Sequence, residues 1–217
     1  LIRSKSNLKR NIFLNELLKN PNITLHECNL KDSNSISKLI SDSEPNEIYN
    51  LVGESVYDKY KSDAINSCEI NSIVTLRILE IVKSLKLEKK IRIFQASSSE
   101  LFGKVDSYPQ DENTNFYPRS NYGIAKLYSH WMIRHYREDF NLFACNGILY
   151  NHESPRRSTN FVTRKISHTL AQIKYGHREE PLTLGNIEAK KDWGHAKDYV
   201  KAMWLILQKN KPTDYII

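Results

Sequence analysis

The sequence predicts an α/β fold, a doubly wound parallel sheet with crossover helices. Apolar segments of strand length alternate with amphipathic segments of helix length, and no internal repeat or low-complexity linker interrupts this order. The 217 residues are enough for one substantial core, and 40% of them are hydrophobic and 26% charged. This composition is typical of a soluble globular protein.

Strands are predicted where short apolar runs lie between turn signals. They are ITLHECNL (23–30), EIYNLV (47–52), IRIFQAS (91–97) and LFACNGILY (142–150). The terminal DYII is typical of the start of another strand.

Helices are predicted where apolar residues recur every three or four positions. A Ser/Asp-rich cap introduces a short helix that carries Ile36, Leu39 and Ile40 on one face. A long helix is expected from about Ser62 to Leu87. Its predicted apolar residues are Ile65, Cys68, Leu76, Leu79, Val82 and Leu85. Further helices are expected at 121–139 and near 160–176 and 195–208, the last two separated by LTLGN.

Charge and cysteine content narrow the function classes. The net charge of +7 indicates an anionic partner, which composition alone leaves open between nucleic acid, membrane and a phosphorylated small molecule. No apolar run approaches the roughly 20 residues of a membrane span, and the N-terminus does not resemble a signal peptide. Cys28, Cys68 and Cys145 are far apart and form no CxxC pair. We therefore expect buried thiols in a reducing compartment, the cytoplasm, with no metal site.

The stretch FYPRSNYGIAKLY contains a tyrosine and a lysine, Tyr122 and Lys126, separated by three residues. Tyr57 and Lys61 share this spacing, and roughly one such pair is expected by chance, so spacing alone does not decide. Tyr122 begins a predicted helix, which places Lys126 one turn later on the same face. Position in the fold therefore favours Tyr122, whereas Tyr57 belongs to a polar segment.

The strand IRIFQAS leads into ASSSE, which offers the Ser98 hydroxyl and the Glu100 carboxylate where ligands gather in open α/β sheets. A free tyrosine has a pKa near 10 and is a poor base at neutral pH. A neighbouring ammonium favours the phenolate, and a hydroxyl can orient an alcohol. The set suits removal of a proton from a sugar or alcohol O–H while hydride passes to a nicotinamide.

Longer segments carry a family resemblance. ASSSELFGKV, FYPRSNYGIAKLYSHW, NLFACNGILYNHESPRR, NFVTRKI and LGNIEAKKDWGHAKDYVKAMW resemble the GDP-mannose 4,6-dehydratases, which belong to the extended short-chain dehydrogenase/reductase family. The resemblance runs from about Ile48 to the last residue and more weakly back to Leu1. It implies an NAD(P)-binding Rossmann fold and conversion of GDP-mannose to GDP-4-keto-6-deoxymannose, a step towards GDP-fucose, with NADP recycled in place.

The resemblance also implies catalytic roles. Tyr122 matches the base that takes the proton from the sugar 4-hydroxyl, and Lys126 matches the lysine that holds the nicotinamide ribose and lowers the tyrosine pKa. Ser98 stands where the family usually has threonine. Glu100 matches the carboxylate that removes the C5 proton and helps to expel the C6 hydroxyl, so it argues for dehydration over simple oxidation.

Binding residues are implied in the same way. The cofactor-binding residues are expected to be Arg3, Ser4, Ser6, Asn29, Leu30, Leu51, Ser55, Lys126, His152 and Arg157. The substrate-binding residues are expected to be Ser98, Asn151, Lys165, Asn186 and Lys191. The basic residues among Arg156, Arg157, Arg164 and Lys165 could instead form a solvated surface or a nucleic-acid patch, but without a nucleic-acid motif we expect no nucleic-acid partner.

The domain organisation follows from the same resemblance. Residues 1–150 are expected to form an NADP-binding Rossmann domain that lacks its glycine-rich turn, because the first glycine is Gly53. Residues 151–217 are expected to begin the nucleotide-sugar region. We therefore expect an internal piece of a longer enzyme or a truncated gene product. We also expect a homo-oligomer, a dimer or tetramer, with no membrane partner.

Two other functions stay open on the sequence. One is a dehydratase or epimerase for another nucleotide sugar. The other is an inactive homologue that serves as an oligomer subunit. Retention of Ser98, Glu100, Tyr122 and Lys126 favours activity, whereas the missing glycine turn favours the inactive form.

Overall fold

The structure is a computed structural model that describes residues 16–17, 19–53 and 63–217. Within these residues the strands are β1 (Glu47–Asn50), β2 (Arg92–Ser98), β3 (Phe143–Leu149), β4 (Asn151–Glu153), β5 (Trp193–His195) and β6 (Tyr215–Ile216). Strands β1, β2, β3 and β6 form a parallel sheet in the order β1-β2-β3-β6, while β4 and β5 pair in parallel as a separate small sheet. The predicted parallel sheet is confirmed.

The helices of the described residues are α1 (Ser33–Ser43), α2 (Ala64–Cys68), α3 (Val74–Ser84), α4 (Asn121–Asp139), α5 (Val162–Lys174) and α6 (Ala196–Leu207). A π-helical segment, Glu69–Ile73, joins α2 to α3, so the predicted long helix is continuous but locally unwound. None of the described helices is long and apolar enough to cross a membrane.

Helices cover both faces of the main sheet. On one face, α1, α3 and α4 pack against side chains such as Ile93 and Ala144. On the other face, α6 packs against Phe94 and Cys145. Because successive side chains of a strand point to opposite faces, the neighbours Ile93 and Phe94 serve two separate cores. This arrangement is the doubly wound architecture that the sequence predicts.

The start of α4 matters for function because it fixes the predicted tyrosine and lysine. Ser120 is the N-cap, and its hydroxyl accepts a hydrogen bond from the backbone N–H of Gly123 at 3.0 Å. Such a cap satisfies a donor that the first helical turn leaves without a partner. The helix therefore begins at Asn121, which places Tyr122 and Lys126 in its first two turns.

A buried ion pair fastens β6 to α4. The Arg137 guanidinium donates to both carboxylate oxygens of Asp214, at 2.7 and 3.0 Å. Asp214 also accepts from the backbone N–H and the side-chain amide of Asn146, each at 3.0 Å. Along the chain, β4, α5 and β5 follow β3. Residues 196–217 then return to the main sheet, where this ion pair holds β6.

Three sequence expectations differ from the structure. Residues 23–30 form no strand of the sheet and contribute a single bridge residue, Glu27, since none of the described residues pairs with them along a ladder. In addition, Ile65 is 81% exposed and Cys68 is exposed, so the predicted apolar face of the long helix and the prediction of three buried thiols are wrong there. The first two turns of that helix bury Ser67 and Asn71 in their place.

Candidate active site

A cavity of about 670 Å³ opens where strands of the main sheet end. The segments that follow β1, β2 and β3 and the start of α4 form its walls. Ligands of open α/β sheets gather at this edge. The predicted site residues that line it are Leu51, Ser98, Glu100, Tyr122, Lys126, Asn151, His152 and Arg157.

The Lys126 ammonium lies between the ends of β1 and β2. Its Nζ donates to the carbonyl oxygens of Val52 at 3.1 Å and Ala96 at 3.0 Å, and only 2% of the residue is exposed. Burial lowers the pKa of Lys126 to about 8. Because the backbone uses two of its three N–H donors, one donor is left for a ligand hydroxyl.

The Tyr122 phenol lies beside this lysine, whose Nζ is 5.8 Å from the ring centroid. Burial raises the pKa of Tyr122, and the Glu100 carboxylate raises it further. A hydrogen bond with the Ser98 side chain and the positive charge of Arg157 act in the opposite direction and lower this pKa. Here Arg157 is therefore a cation that favours the phenolate, while Lys126 is engaged with backbone carbonyls.

Ser98 and Glu100 stand at the end of β2. The Ser98 hydroxyl accepts a hydrogen bond from the backbone N–H of Glu100 at 3.2 Å and so caps the 3₁₀ turn Ser99–Leu101. Ser98 is buried and Glu100 is exposed to the cavity. The strand end thus presents an oriented hydroxyl next to Tyr122 and an exposed carboxylate.

Gly53 makes room beside Lys126. A Cβ at this position would lie 3.3 Å from the Lys126 Nζ and 3.2 Å from the Asn71 Oδ1. The remaining Lys126 donor and the missing side chain at Gly53 fit the ribose hydroxyls and flat ring of a nicotinamide cofactor. In the described part of the chain, no group of three or more His, Cys, Asp or Glu side chains is placed to hold a metal ion.

The opposite wall comes in part from β4, which pairs with β5. The Asn151 side-chain amide donates to the Asp192 carbonyl at 3.0 Å, which ties the two strands together next to the cavity. The His152 Nδ1 is 3.0 Å from the Tyr150 carbonyl oxygen, and its ring centroid is 5.0 Å from that of Tyr199. These contacts fix the backbone that carries both predicted binding residues.

Two of the predicted cofactor residues that the structure describes do not line the cavity. Asn29 and Leu30 precede α1, where the Leu30 carbonyl accepts from Arg77 at 3.3 Å. Several predicted residues lie outside the described residues: Arg3, Ser4, Ser6, Ser55 and the alternative pair Tyr57 and Lys61.

Three predicted substrate residues also lie away from the cavity lining. The Lys165 ammonium donates to the Thr183 carbonyl at 2.6 Å, in the segment that carries Asn186. Asn186 accepts from the backbone N–H of Glu188 at 3.0 Å, and Lys191 is exposed. The assignment of these residues to the substrate remains a prediction.

The cavity also contains residues that sequence reasoning missed. Arg119 lines it from the segment before α4, Asn121 from the first residue of α4, and Phe161 from the residue before α5. Arg119 and Asn121 lie within the quoted tyrosine stretch, so adjacency to Tyr122 was the available signal. Phe161 had no such signal, because an aromatic residue at a helix start is usually part of a core.

The fold has close relatives among solved structures. RMD from Pseudomonas aeruginosa, determined with NADPH, superposes with a TM-score of 0.81 at 20% identity over 90% of this chain and 68% of that chain. The dTDP-glucose 4,6-dehydratase DesIV from Streptomyces venezuelae, determined with NAD and TYD, gives 0.80 at 19% identity over 94% and 61%. The chain shares the fold of these two proteins.

Sequence comparison narrows the class. The family model for GDP-mannose 4,6 dehydratase matches residues 2–217. The human GDP-mannose 4,6 dehydratase is 50% identical over 211 residues, which are 94% of this chain and 56% of the human protein. The Vibrio cholerae serotype O1 enzyme is 43% identical over 221 residues, 100% of this chain and 59% of that protein. The chain belongs to the GDP-mannose 4,6 dehydratase family and spans less than two thirds of the length of these relatives.

Proposed function

We propose that this protein is a lyase that converts GDP-mannose to GDP-4-keto-6-deoxymannose with NADP. The proposal rests on one observation above all: the four residues that match the family's catalytic set, Ser98, Glu100, Tyr122 and Lys126, line a single cavity. Family membership supports the substrate, since the relatives are named for GDP-mannose.

Tyr122 is the proposed base for the sugar 4-hydroxyl. Ser98 holds that hydroxyl and stabilises the phenolate, because its side chain hydrogen-bonds to Tyr122. Lys126 holds a ribose hydroxyl of the cofactor with its remaining N–H donor. When bound, a nicotinamide cofactor accepts and returns the hydride, so the reaction is redox-neutral overall.

Glu100 gives the site its dehydratase character. Once carbon 4 is a ketone, the neighbouring C5 proton is acidic, and in the proposed mechanism the Glu100 carboxylate, which lines the cavity, removes it. The same group then assists departure of the C6 hydroxyl as water. Simple oxidation or epimerisation at carbon 4 needs no such carboxylate, and this favours 4,6-dehydration.

The organisation of the whole protein is part of the proposal. Residues 1–150 are proposed to bind NADP, with Arg3, Ser4 and Ser6 at the 2′-phosphate, and 151–217 to begin the sugar-nucleotide region. Exposed apolar side chains on α2 and α4, among them Ile65, Ile124 and Trp131, suit a homo-oligomer contact. The three free cysteines suit a reducing compartment, the cytoplasm.

A product assay tests the function. Incubation with GDP-mannose and NADP is expected to give a product that contains a carbonyl group and is lighter than the substrate by one water. The Glu100→Gln variant is expected to reduce bound NADP but to release no 6-deoxy product. The matched control is Glu179→Gln, because Glu179 is exposed and does not line the cavity. Turnover by Glu100→Gln at the control rate would refute the role of Glu100.

A further inference from the structure

Arg157 is fixed in the cavity wall by two contacts. Its guanidinium carbon lies 3.5 Å from the centroid of the Phe161 ring, and its Nε lies 3.4 Å from a carboxylate oxygen of Glu153. Only 24% of the Arg157 side chain and 17% of the Glu153 side chain are exposed. The pair is an ion pair between largely desolvated groups, where a charge interaction is stronger than at the surface.

Glu153 is itself held from α5. Its Oε2 accepts the hydroxyl of Thr163 at 2.5 Å, so the carboxylate joins the end of β4 to the first turn of α5. Glu153 and Thr163 also line a second cavity of about 440 Å³, together with the charged or titratable groups Arg164 and His195. Glu153 therefore lines the second cavity, while its partner Arg157 lines the one that contains Tyr122.

Besides contacting a ligand, Arg157 can act through its charge on the pKa of Tyr122. Among the described residues, the charged groups that act on the phenol are Glu100, which raises the pKa of Tyr122, and Arg157, which lowers it. Lys126 lies over the ring, but its ammonium donates to two backbone carbonyls. The position of Arg157 thus decides how strongly a cation favours the phenolate.

We propose that Glu153 is a positioning residue: together with Thr163 it holds Arg157 in the cavity wall, so that the guanidinium charge acts on Tyr122. The inference rests on the proposed role of Tyr122 as the base. Glu153 does not line the main cavity, and the family resemblance did not single it out.

The sign of a pH shift tests the proposal. Arg157→Gln removes the cation, so the acidic limb of the kcat/KM profile for GDP-mannose should move up by about one pH unit. Glu153→Gln is expected to move the limb in the same direction, because the released guanidinium leaves Tyr122. If Glu153 were only a nearby anion, its neutralisation would favour the phenolate and move the limb down. A downward shift, or none, would overturn the proposal.

A double-mutant cycle and two controls complete the test. If Glu153 acts through Arg157, adding Glu153→Gln to Arg157→Gln should produce no further shift, whereas additive shifts would contradict the proposal. Thr163→Val should give a smaller upward shift. Glu138→Gln breaks an exposed pair with Arg134, also at four-residue spacing, and should leave the limb unchanged.

A measurement without turnover separates this inference from the proposed function. Titration of the Tyr122 ring signal in ¹³C-tyrosine-labelled protein, assigned by Tyr122→Phe, should show a higher midpoint in Glu153→Gln than in the wild type. If the wild-type protein does not convert GDP-mannose, the proposed function fails while this titration still decides the role of Glu153. A lower or unchanged midpoint would refute it.

Discussion

The two sides of the cavity differ in how their predicted residues are placed. On one side, Ser98, Tyr122 and Lys126 stand on β2 and α4, and all three line the cavity. On the other side, Asn151 and His152 on β4 also line it, but Lys165 and Asn186 do not. The difference teaches that a residue on the main sheet or its covering helices inherits its position from the core, whereas residues between β4 and β5 depend on local contacts.

The largest expected effect is loss of the base on the side formed by β2 and α4. Tyr122→Phe removes only the ionisable oxygen and should lower kcat by about 10²- to 10⁴-fold while GDP-sugar binding persists. Tyr128→Phe, on the same helix but outside the cavity lining, should change kcat little. Steady-state turnover and equilibrium binding measure both, and a Tyr122→Phe variant with near wild-type kcat would remove the tyrosine from the mechanism.

The same side of the molecule should lose stability in acid. Burial lowers the pKa of His130 to about 4, below its ordinary value of 6.5, although Asp214 opposes this shift. Between these pH values the unfolded state binds more protons, so stability falls as the pH drops from about 6.5 to about 4. The expected loss from this residue is about 3 kcal/mol.

Denaturant unfolding at pH 7 and pH 4.5 measures this loss. His130→Leu should reduce the difference between the two pH values, whereas His135→Leu, which changes a half-exposed histidine on the same helix, should not. An unchanged pH dependence in His130→Leu would show that other groups control acid stability.

The side formed by β2 and α4 is also the part that the sequence predicted best. The bounds of α4 follow from the Ser120 cap and the helical periodicity, and β2 follows from an apolar run, so Ser98, Tyr122 and Lys126 could be placed without a structure. The contact between Arg157 and Glu153 could not be predicted, because it depends on the turn at 155–156 that follows β4. The exposure of Cys68 was also missed, because helical periodicity does not show which face a neighbouring helix covers.

A smaller effect is expected where the cofactor is proposed to pass Lys126. Gly53→Ala places a Cβ 3.3 Å from the Lys126 Nζ, so NADP should bind about tenfold more weakly, as measured by fluorescence titration. Gly185→Ala is the control, because nothing lies within 4 Å of a Cβ there. Equal NADP affinity in the two variants would mean that the cofactor does not occupy the space beside Gly53 and Lys126.

The smallest effect is expected on the side that contains β4 and α5. Lys165→Ala should raise KM for GDP-mannose several-fold and leave kcat unchanged, because a diphosphate contact is lost in ground and transition states alike. Lys174→Ala, at the exposed end of the same helix, is the control. If both variants keep the wild-type KM, Lys165 stays with the Thr183 carbonyl and the predicted substrate role is wrong.

Solvent deuterium tests the central claim most directly, because only elimination through C5 exchanges that proton. In deuterated water with GDP-mannose and NADP, the wild-type protein should place deuterium at C5 of the 4-keto-6-deoxy product. Glu100→Gln should form no such labelled product. A 6-deoxy product without deuterium at C5 would contradict proton removal by Glu100 and with it the dehydration mechanism proposed for this site.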